Sequence, residues 1–123
     1  DISGAYYPTI DEFAVASQGE YDSNDRCIYT SEAVVTYSFG DIKTIQELHM
    51  YGKEQLSYGA FADVYAYNVQ TGEYEQIFVD TDTLSGADLQ KYLLDKTIVL
   101  KYVGRGGEYG SYFGPKISVK GEQ

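Results

Sequence analysis

Residues 62–80 constrain the fold most, because they contain two strand-forming segments separated by a turn. The segments 64–67 and 74–79 are rich in β-branched and aromatic residues, which suit a pleated, half-buried surface. In the turn between them, Gly72 accepts the positive φ that a short hairpin with a bulge requires. This stretch therefore predicts a β-hairpin, with which the other strands pair or on which they pack.

Other segments alternate apolar and polar side chains, which is typical of strands with one buried face. Strands are predicted over residues 33–39, 97–103 and 116–120. Residues 42–51 have partly helical spacing, but the flanking turns and the neighbouring strands favour a strand over residues 45–51. We expect one shared core between two sheets, because a one-residue slip would bury Lys101 or Lys120. That core is predicted to contain Val35, Tyr37, Ile98, Leu100, Ile117 and Val119.

The remaining segments are less regular. Residues 1–32 contain two short strand candidates, 13–16 and 27–29, with a polar loop between them. The Ser-x-x-acid sequence of residues 85–88 predicts the start of a helix of one to two turns that reaches Leu93. Residues 104–115 are too long and too rich in glycine for a tight hairpin, and they predict a loop.

Roughly seven or eight short strands, with turns every eight to twelve residues, predict an antiparallel β-sandwich or barrel. A chain of 123 residues is one domain with a sizeable core. We therefore expect a single all-β domain over residues 1–123, with one short helix on a connection and residues 1–32 packed against the sandwich. Because the chain starts at Asp1 rather than Met, we expect it to be a piece of a larger protein.

The net charge of −10 limits the partners. An acidic domain repels phosphate backbones and anionic membrane surfaces, so we expect neither nucleic acid nor membrane insertion. Apolar runs are too short for a membrane span. The single cysteine, Cys27, forms no intramolecular disulfide and is interpreted as a small buried hydrophobe.

Catalytic constellations are not evident in the sequence. A Ser–His–Asp or Cys–His site needs a histidine, and the chain has one, His49, within a predicted strand. It is interpreted as surface-facing or structural. No spacing singles out a carboxylate pair for glycoside hydrolysis. We therefore do not expect an enzyme.

A candidate metal site lies in the polar loop of residues 22–25. Asp22, Asn24 and Asp25 place oxygen ligands close together, as calcium prefers. The same run is typical of an ordinary turn, and no distant Glu completes a ligand set. We expect no cofactor and keep these three residues as candidates for a structural calcium.

A candidate ligand site lies in the glycine-rich loop 104–115, where Arg105, Tyr109, Tyr112 and Phe113 are concentrated. Exposed aromatic rings stack on sugars, and glycines leave the backbone free to present them. The alternative is that the rings fold back and cap the open end of the sandwich. The sequence leaves both alternatives open.

Residues 34–119 resemble the galactose-binding-like β-sandwich, a jelly roll of carbohydrate-binding and discoidin-type modules. The resemblance lies in the order of the motifs, namely YSFG at 37–40, the strand 45–51, the hairpin with TGEY at 71–74, the helix around Leu89, IVLKY at 98–102 and GPKISVKG at 114–121. The later motifs look like the outward-facing C-terminal sandwich of some large bacterial membrane proteins.

The resemblance implies an extracytoplasmic location and, in many members of the group, a structural calcium. We therefore expect a non-catalytic accessory or interaction module of a larger bacterial surface or membrane protein. Its partners would be the rest of that protein, another surface protein or a glycan. Carbohydrate binding through the loop aromatics is the alternative function.

Overall fold

The computed structural model describes residues 8–21, 27–40, 42–51, 61–107 and 116–122. Most of this chain is extended, as the alternating sequence predicts. The elements are β1 (Thr9–Tyr21), β2 (Cys27–Ser38), β3 (Thr44–Tyr51), β4 (Phe61–Asn68), β5 (Glu73–Ile77), β6 (Thr83–Ser85), α1 (Ala87–Gln90), β7 (Thr97–Gly107) and β8 (Lys116–Glu122).

The strands form two antiparallel sheets. One sheet has five strands in the order β1-β2-β7-β4-β5, and the other has three in the order β6-β3-β8. The chain changes sheet after β2, β3, β5, α1 and β7, so sequence neighbours often lie in different sheets. The fold is an all-β sandwich with a short helix on the connection between β6 and β7, which confirms the predicted class.

Both sheets contribute to one buried core. All six predicted core side chains belong to it, and each is at most 7% exposed. The strand interpretation of residues 45–51 is also confirmed, because Leu48 and Met50 of β3 face this core. From outside the strands, Leu89 of α1 and Tyr92 are buried in the same cluster. The alternation of apolar and polar residues was therefore sufficient to identify the inward faces.

The central hairpin is formed by β4 and β5, and Asn68 organises its turn. The Asn68 carbonyl accepts a 2.8 Å hydrogen bond from the backbone N–H of Gly72, which has a φ of 77°. The Asn68 side-chain Oδ1 accepts hydrogen bonds from the N–H groups of Gln70 (2.9 Å) and Thr71 (3.2 Å). A side chain that bonds the backbone two or three residues ahead stabilises a turn locally. The predicted glycine requirement is confirmed.

The second arm of the hairpin ends earlier than predicted, at Ile77 rather than at residue 79. Phe78 has a φ of 57°, which is unusual for an aromatic residue, and its side chain is 2% exposed. Burial of the ring favours this conformation because it directs two successive side chains, Ile77 and Phe78, into the core. Val79 is then 63% exposed.

The start of the helix also differs from the prediction. Ser85 belongs to β6 and pairs with Glu47 of β3, so it does not cap the helix. The N-cap is Gly86, with a φ of 58° and no side-chain cap hydrogen bond. The helix spans four residues, Ala87–Gln90, and ends before Leu93.

The N-terminal region contains longer strands than the two short ones predicted there. β1 and β2 pair in an antiparallel register that runs from Thr9 opposite Ser38 to Tyr21 opposite Cys27. β2 in turn pairs with β7. β1 lies at the edge of the sheet and pairs with β2 along its length, so it is extended although its own sequence alternates poorly. Local strand propensity does not predict such pairing.

Candidate functional site

The outer face of the five-stranded sheet carries a cluster of tyrosines beside a lysine. Because Val64 and Ala66 of β4 point into the core, the alternate residues Tyr65 and Tyr67 point outwards. The register places Tyr74 of β5 opposite Tyr67, and Lys101 of β7 opposite Tyr65. We call Tyr65, Tyr67, Tyr74 and Lys101 the tyrosine face.

The side chains of the tyrosine face contact one another. The rings of Tyr67 and Tyr74 are 5.5 Å apart between centroids and meet edge to face at 66°. The Lys101 Nζ lies 4.5 Å from the Tyr74 ring centroid and 5.4 Å from that of Tyr65. A cation over an exposed aromatic ring contributes about 0.5–1 kcal/mol. The lysine therefore helps to order the rings in one arrangement on a regular sheet.

The tyrosine face is partly exposed and carries phenol hydroxyls. Tyr74 is 36% exposed, and Tyr65 and Tyr67 are half-buried. Partial burial raises the pKa of Tyr74 above its ordinary value, and the neighbouring Tyr67 adds to the effect. The Tyr74 hydroxyl is thus protonated at neutral pH and able to donate a hydrogen bond. The surface combines apolar ring area with directional polar groups, which suits binding.

A polar network next to the hairpin turn holds β5 against the connection that follows α1. The Glu75 carboxylate accepts hydrogen bonds from the Tyr92 hydroxyl (2.8 Å) and the Asn68 amide (3.0 Å), and Lys91 Nζ lies 3.6 Å away. The Tyr92 hydroxyl, followed by the Asn68 amide, lowers the pKa of Glu75 below its ordinary value. The Val69 N–H donates to the Lys91 carbonyl at 3.1 Å. These contacts fix the end of the hairpin that carries Tyr67 and Tyr74.

His49, the single histidine of the chain, is half-buried on β3. Its Nδ1 lies 3.1 Å from the Thr83 hydroxyl, and its Nε2 lies 3.7 Å from a carboxylate oxygen of Glu47. Both partners belong to the three-stranded sheet, on β6 and β3. The Thr83 contact joins β3 to the adjacent strand β6, as expected for a histidine with a structural role, and the Glu47 contact lies within β3.

The predicted loop site lies largely outside the described residues, as do Tyr109, Tyr112 and Phe113. Arg105 is in β7, where its backbone pairs with Phe61 of β4. Residues 104–107, predicted as the beginning of the loop, are therefore strand. The extension follows from pairing with β2 and β4 on both sides, which overrides the weak strand propensity of the glycines.

The candidate calcium ligands Asp22, Asn24 and Asp25 also lie outside the described residues, between β1 and β2. Within the part of the chain that the structure describes, no group of three or more His, Cys, Asp or Glu side chains could hold a metal ion. The calcium site stays a prediction.

Sequence reasoning did not identify the tyrosine face as a site. Two of its members could have been recognised from the sequence, because Tyr65 and Tyr67 alternate with the apolar residues Val64 and Ala66 in the predicted hairpin. This alternation places both tyrosines on the face opposite the core. Lys101 could not be added from the sequence, because β4 and β7 are neighbours only in the folded sheet. The loop aromatics, in contrast, are close together in sequence and are therefore recognisable as a cluster without the fold.

The chain has no significant match to a protein-family model, to a curated protein or to a solved structure. In the described ranges, none of the helical structure is long and apolar enough to cross a membrane. The chemistry of the surface itself is therefore the basis for a functional proposal.

Proposed function

We propose that this domain is a non-catalytic accessory module of a larger bacterial surface or membrane protein, and that it acts outside the cytoplasm by binding another protein surface. The observation that carries the proposal is the tyrosine face, where three tyrosines and Lys101 form an ordered, partly exposed cluster on a sheet. Tyrosine is enriched among the residues that dominate binding energy at protein interfaces.

The rigidity of the surface supports binding. The rings stand on β4, β5 and β7, three paired strands, and the opposite faces of β4 and β7 are buried in the core. Little conformational freedom of the backbone would be lost on association, so little ordering cost opposes binding. Lys101 gives the face one positive charge in a chain of net charge −10, which favours a partner with a carboxylate at the matching position.

Protein binding is favoured over sugar stacking at this face by the position of Lys101. Its Nζ lies over the Tyr74 ring, so a sugar ring would have to displace the ammonium from the same surface. A protein carboxylate can instead pair with the ammonium while apolar groups cover the tyrosine edges. Carbohydrate binding is the alternative, and its candidate residues are Arg105, Tyr109, Tyr112 and Phe113.

We also propose that the sandwich is a jelly roll of the galactose-binding-like kind. The eight strands of the described chain in two antiparallel sheets are compatible with a double-sheet jelly roll. The order of the motifs in residues 34–119 supports the same proposal and, through it, the extracytoplasmic location.

The test uses the remainder of the parent protein's extracytoplasmic region, purified separately, as the probe. Its affinity is measured by biolayer interferometry for the wild-type domain and for Tyr74→Ala and Lys101→Ala. Leu94→Ala is the matched control, because Leu94 is 67% exposed and is not part of the tyrosine face. We expect both face variants to bind about tenfold more weakly or worse, as for interface hot spots, and the control to bind normally.

Equal affinity of all variants would contradict the role of the tyrosine face. A panel of cell-wall and plant oligosaccharides is titrated in parallel to test the alternative. Glycan binding that is lost in Tyr112→Ala, at unchanged melting temperature, would favour the carbohydrate-binding function and replace the protein-binding one.

A further inference from the structure

A polar groove with a volume of about 380 Å³ lies beside the start of β3 and shares no residue with the tyrosine face. Pockets of roughly 300–1,000 Å³ are the usual size for small-molecule sites. The side chains that matter for its chemistry are those of Lys43, Gln46, Gln90, Asp95, Lys96 and Glu122. This inference is independent of the proposed function.

A β-bulge places Gln46 in the groove. In the pairing of β3 with β8, Ile45 lies opposite Gly121 and Glu47 lies opposite Lys120, so Gln46 is an extra residue on β3. Bulges change the direction of a side chain and are common next to binding sites.

The Gln46 side chain has an unused hydrogen-bonding atom. Its Oε1 is buried and has no hydrogen-bond partner in the described structure. The nearby Gln90 amide donates its described hydrogen bond to the Ile45 carbonyl, at 3.0 Å, and not to Gln46. A buried acceptor without a donor is unfavourable, so a ligand that turns the Gln46 amide towards the groove and donates a hydrogen bond to Oε1 would gain affinity.

Charged side chains of both signs line the same groove. Asp95 and Lys96 form the tip of a tight turn, which is closed by hydrogen bonds between Leu94 and Thr97 in both directions. Asp95 has a φ of 56°, a conformation that is uncommon outside glycine and costs free energy. The turn presents an anion and a cation side by side at the groove.

Lys43 and Glu122 add a second pair of opposite charges. Their backbones are joined by a 2.7 Å hydrogen bond from the Lys43 N–H to the Glu122 carbonyl. Among the described residues, Glu47 pairs with His49 and Glu75 with Lys91, and no ion pair between described residues joins the groove lysines to the groove carboxylates. The four charged groups of the groove are therefore available to a ligand.

We propose that this groove binds a small zwitterion, an α-amino acid or a dipeptide, which carries an ammonium and a carboxylate. An ammonium has three N–H donors, which match Gln46 Oε1 and the carboxylates of Asp95 and Glu122. A carboxylate has only acceptors, which match the ammonium groups of Lys43 and Lys96. The two lysines and two acids give a lining without net charge, which suits a ligand of zero net charge.

The lining contains no aromatic ring, so the groove lacks the stacking surface with which proteins usually hold a sugar ring. Its apolar residues are Ile45 and Leu93. Paired charges, rather than stacking, would supply the affinity, and salt would weaken binding because the groove is open to solvent.

The experiment is calorimetric titration of the whole domain with glycine and diglycine at up to about 10 mM. Glycine methyl ester lacks the carboxylate, N-acetylglycine lacks the ammonium, and glucose lacks both. We expect glycine or diglycine to bind with a dissociation constant near millimolar, and each single-charge analogue to bind about tenfold more weakly or worse. Raising the salt from about 20 mM to about 500 mM should weaken binding of the zwitterion.

The decisive variant is Gln46→Leu, with Gln76→Leu on the exposed side of β5 as the matched control. We expect Gln46→Leu to reduce zwitterion affinity about tenfold, with a melting temperature equal to or above wild type because a buried unpaired acceptor is removed. Should Gln46→Leu not fold, Lys96→Gln replaces it, with the same expected loss.

The proposal is overturned if neither glycine nor diglycine binds, if the ester and the acetyl analogue bind as well as the zwitterions, or if the groove variants bind normally. Glucose binding of equal strength that is insensitive to salt would also overturn it. If the groove does not bind zwitterions, the proposal for the tyrosine face is not affected, because that proposal is tested with different variants and a different probe.

Discussion

The hydroxyl oxygens of Tyr37 and Tyr102 lie 2.8 Å apart inside the core, although the residues are 65 positions apart in sequence. In the register of β2 with β7, Tyr37 faces Ile98 and Tyr102 faces Ala33, so the two long rings reach towards each other along the sheet. Their side chains are 7% and 2% exposed. A pair of buried hydroxyls thus links β2 to β7 by a side-chain hydrogen bond inside the core.

The first prediction concerns the coupling between these tyrosines. Tyr102→Phe should lower the free energy of unfolding by about 1–3 kcal/mol, because it leaves the buried Tyr37 hydroxyl without this hydrogen bond. The double variant Tyr37→Phe/Tyr102→Phe should cost less than the sum of the single changes. Urea unfolding of the four proteins measures the coupling, and strictly additive losses would show that the hydroxyls do not interact.

The second prediction concerns alkaline pH. Burial raises the pKa of Tyr37 and of Tyr102 in the folded state. In the unfolded chain these groups ionise near pH 10, so above that pH the unfolded state binds fewer protons than the folded state. The contribution of the two tyrosines to the free energy of unfolding should be constant below about pH 10. Above that pH the free energy of unfolding should fall by up to about 1.4 kcal/mol per pH unit for each tyrosine.

Thermal unfolding between about pH 8 and pH 11 measures this slope. Tyr102→Phe should flatten the loss, because one buried ionisable group has been removed. If stability falls equally steeply with pH in wild type and Tyr102→Phe, Tyr102 does not control the loss of stability at alkaline pH.

The third prediction separates the two faces of β7. Leu100 is fully buried, whereas its neighbour Val99 points to the outer face and is half-buried. Leu100→Ala should cost about 2–5 kcal/mol through lost burial and the cavity left behind. Val99→Ala should cost below about 1 kcal/mol. Equal losses in chemical denaturation would mean that the inward face of β7 is misassigned.

The fourth prediction concerns the close approach of β8 to β3. A Cβ on Gly121 would overlap the backbone carbonyl of Thr44, and backbone atoms have little room to move. Gly121→Ala should therefore destabilise the fold by about 1–3 kcal/mol, as overpacking does. Lys120→Ala, one residue earlier on the half-buried side of β8, is the control and should change stability little. A neutral Gly121→Ala would contradict the close approach of β8 to the Thr44 carbonyl.

The fold was predictable from the sequence wherever the pattern is local. Alternation identified the inward side chains of β2, β7 and β8, and a glycine at the right position identified the central turn. The errors occurred where tertiary contacts override local preference. Phe78 leaves the strand to bury its ring, and Ser85 pairs with Glu47 instead of capping the helix.

The candidate sites were less predictable, because each depends on non-local pairing. Lys101 joins the tyrosines only through the adjacency of β4 and β7. Gln46 enters the groove only through a bulge against β8, and nothing in its own neighbourhood indicates that register shift. Close spacing in sequence instead favoured the loop aromatics and the acidic turn at residues 22–25, which remain predictions.

The most direct test of the binding surface is a nuclear magnetic resonance titration of the domain with its 14 tyrosines labelled. The titrant is the separately purified remainder of the larger protein of which we propose this domain to be a module. If the tyrosine face is the binding surface, the ring signals of Tyr65, Tyr67 and Tyr74 shift, whereas those of the buried Tyr37 and Tyr102 do not. Shifts confined to Tyr109 and Tyr112, or no shift at all at saturating titrant, would contradict the assignment of the tyrosine face as the binding surface.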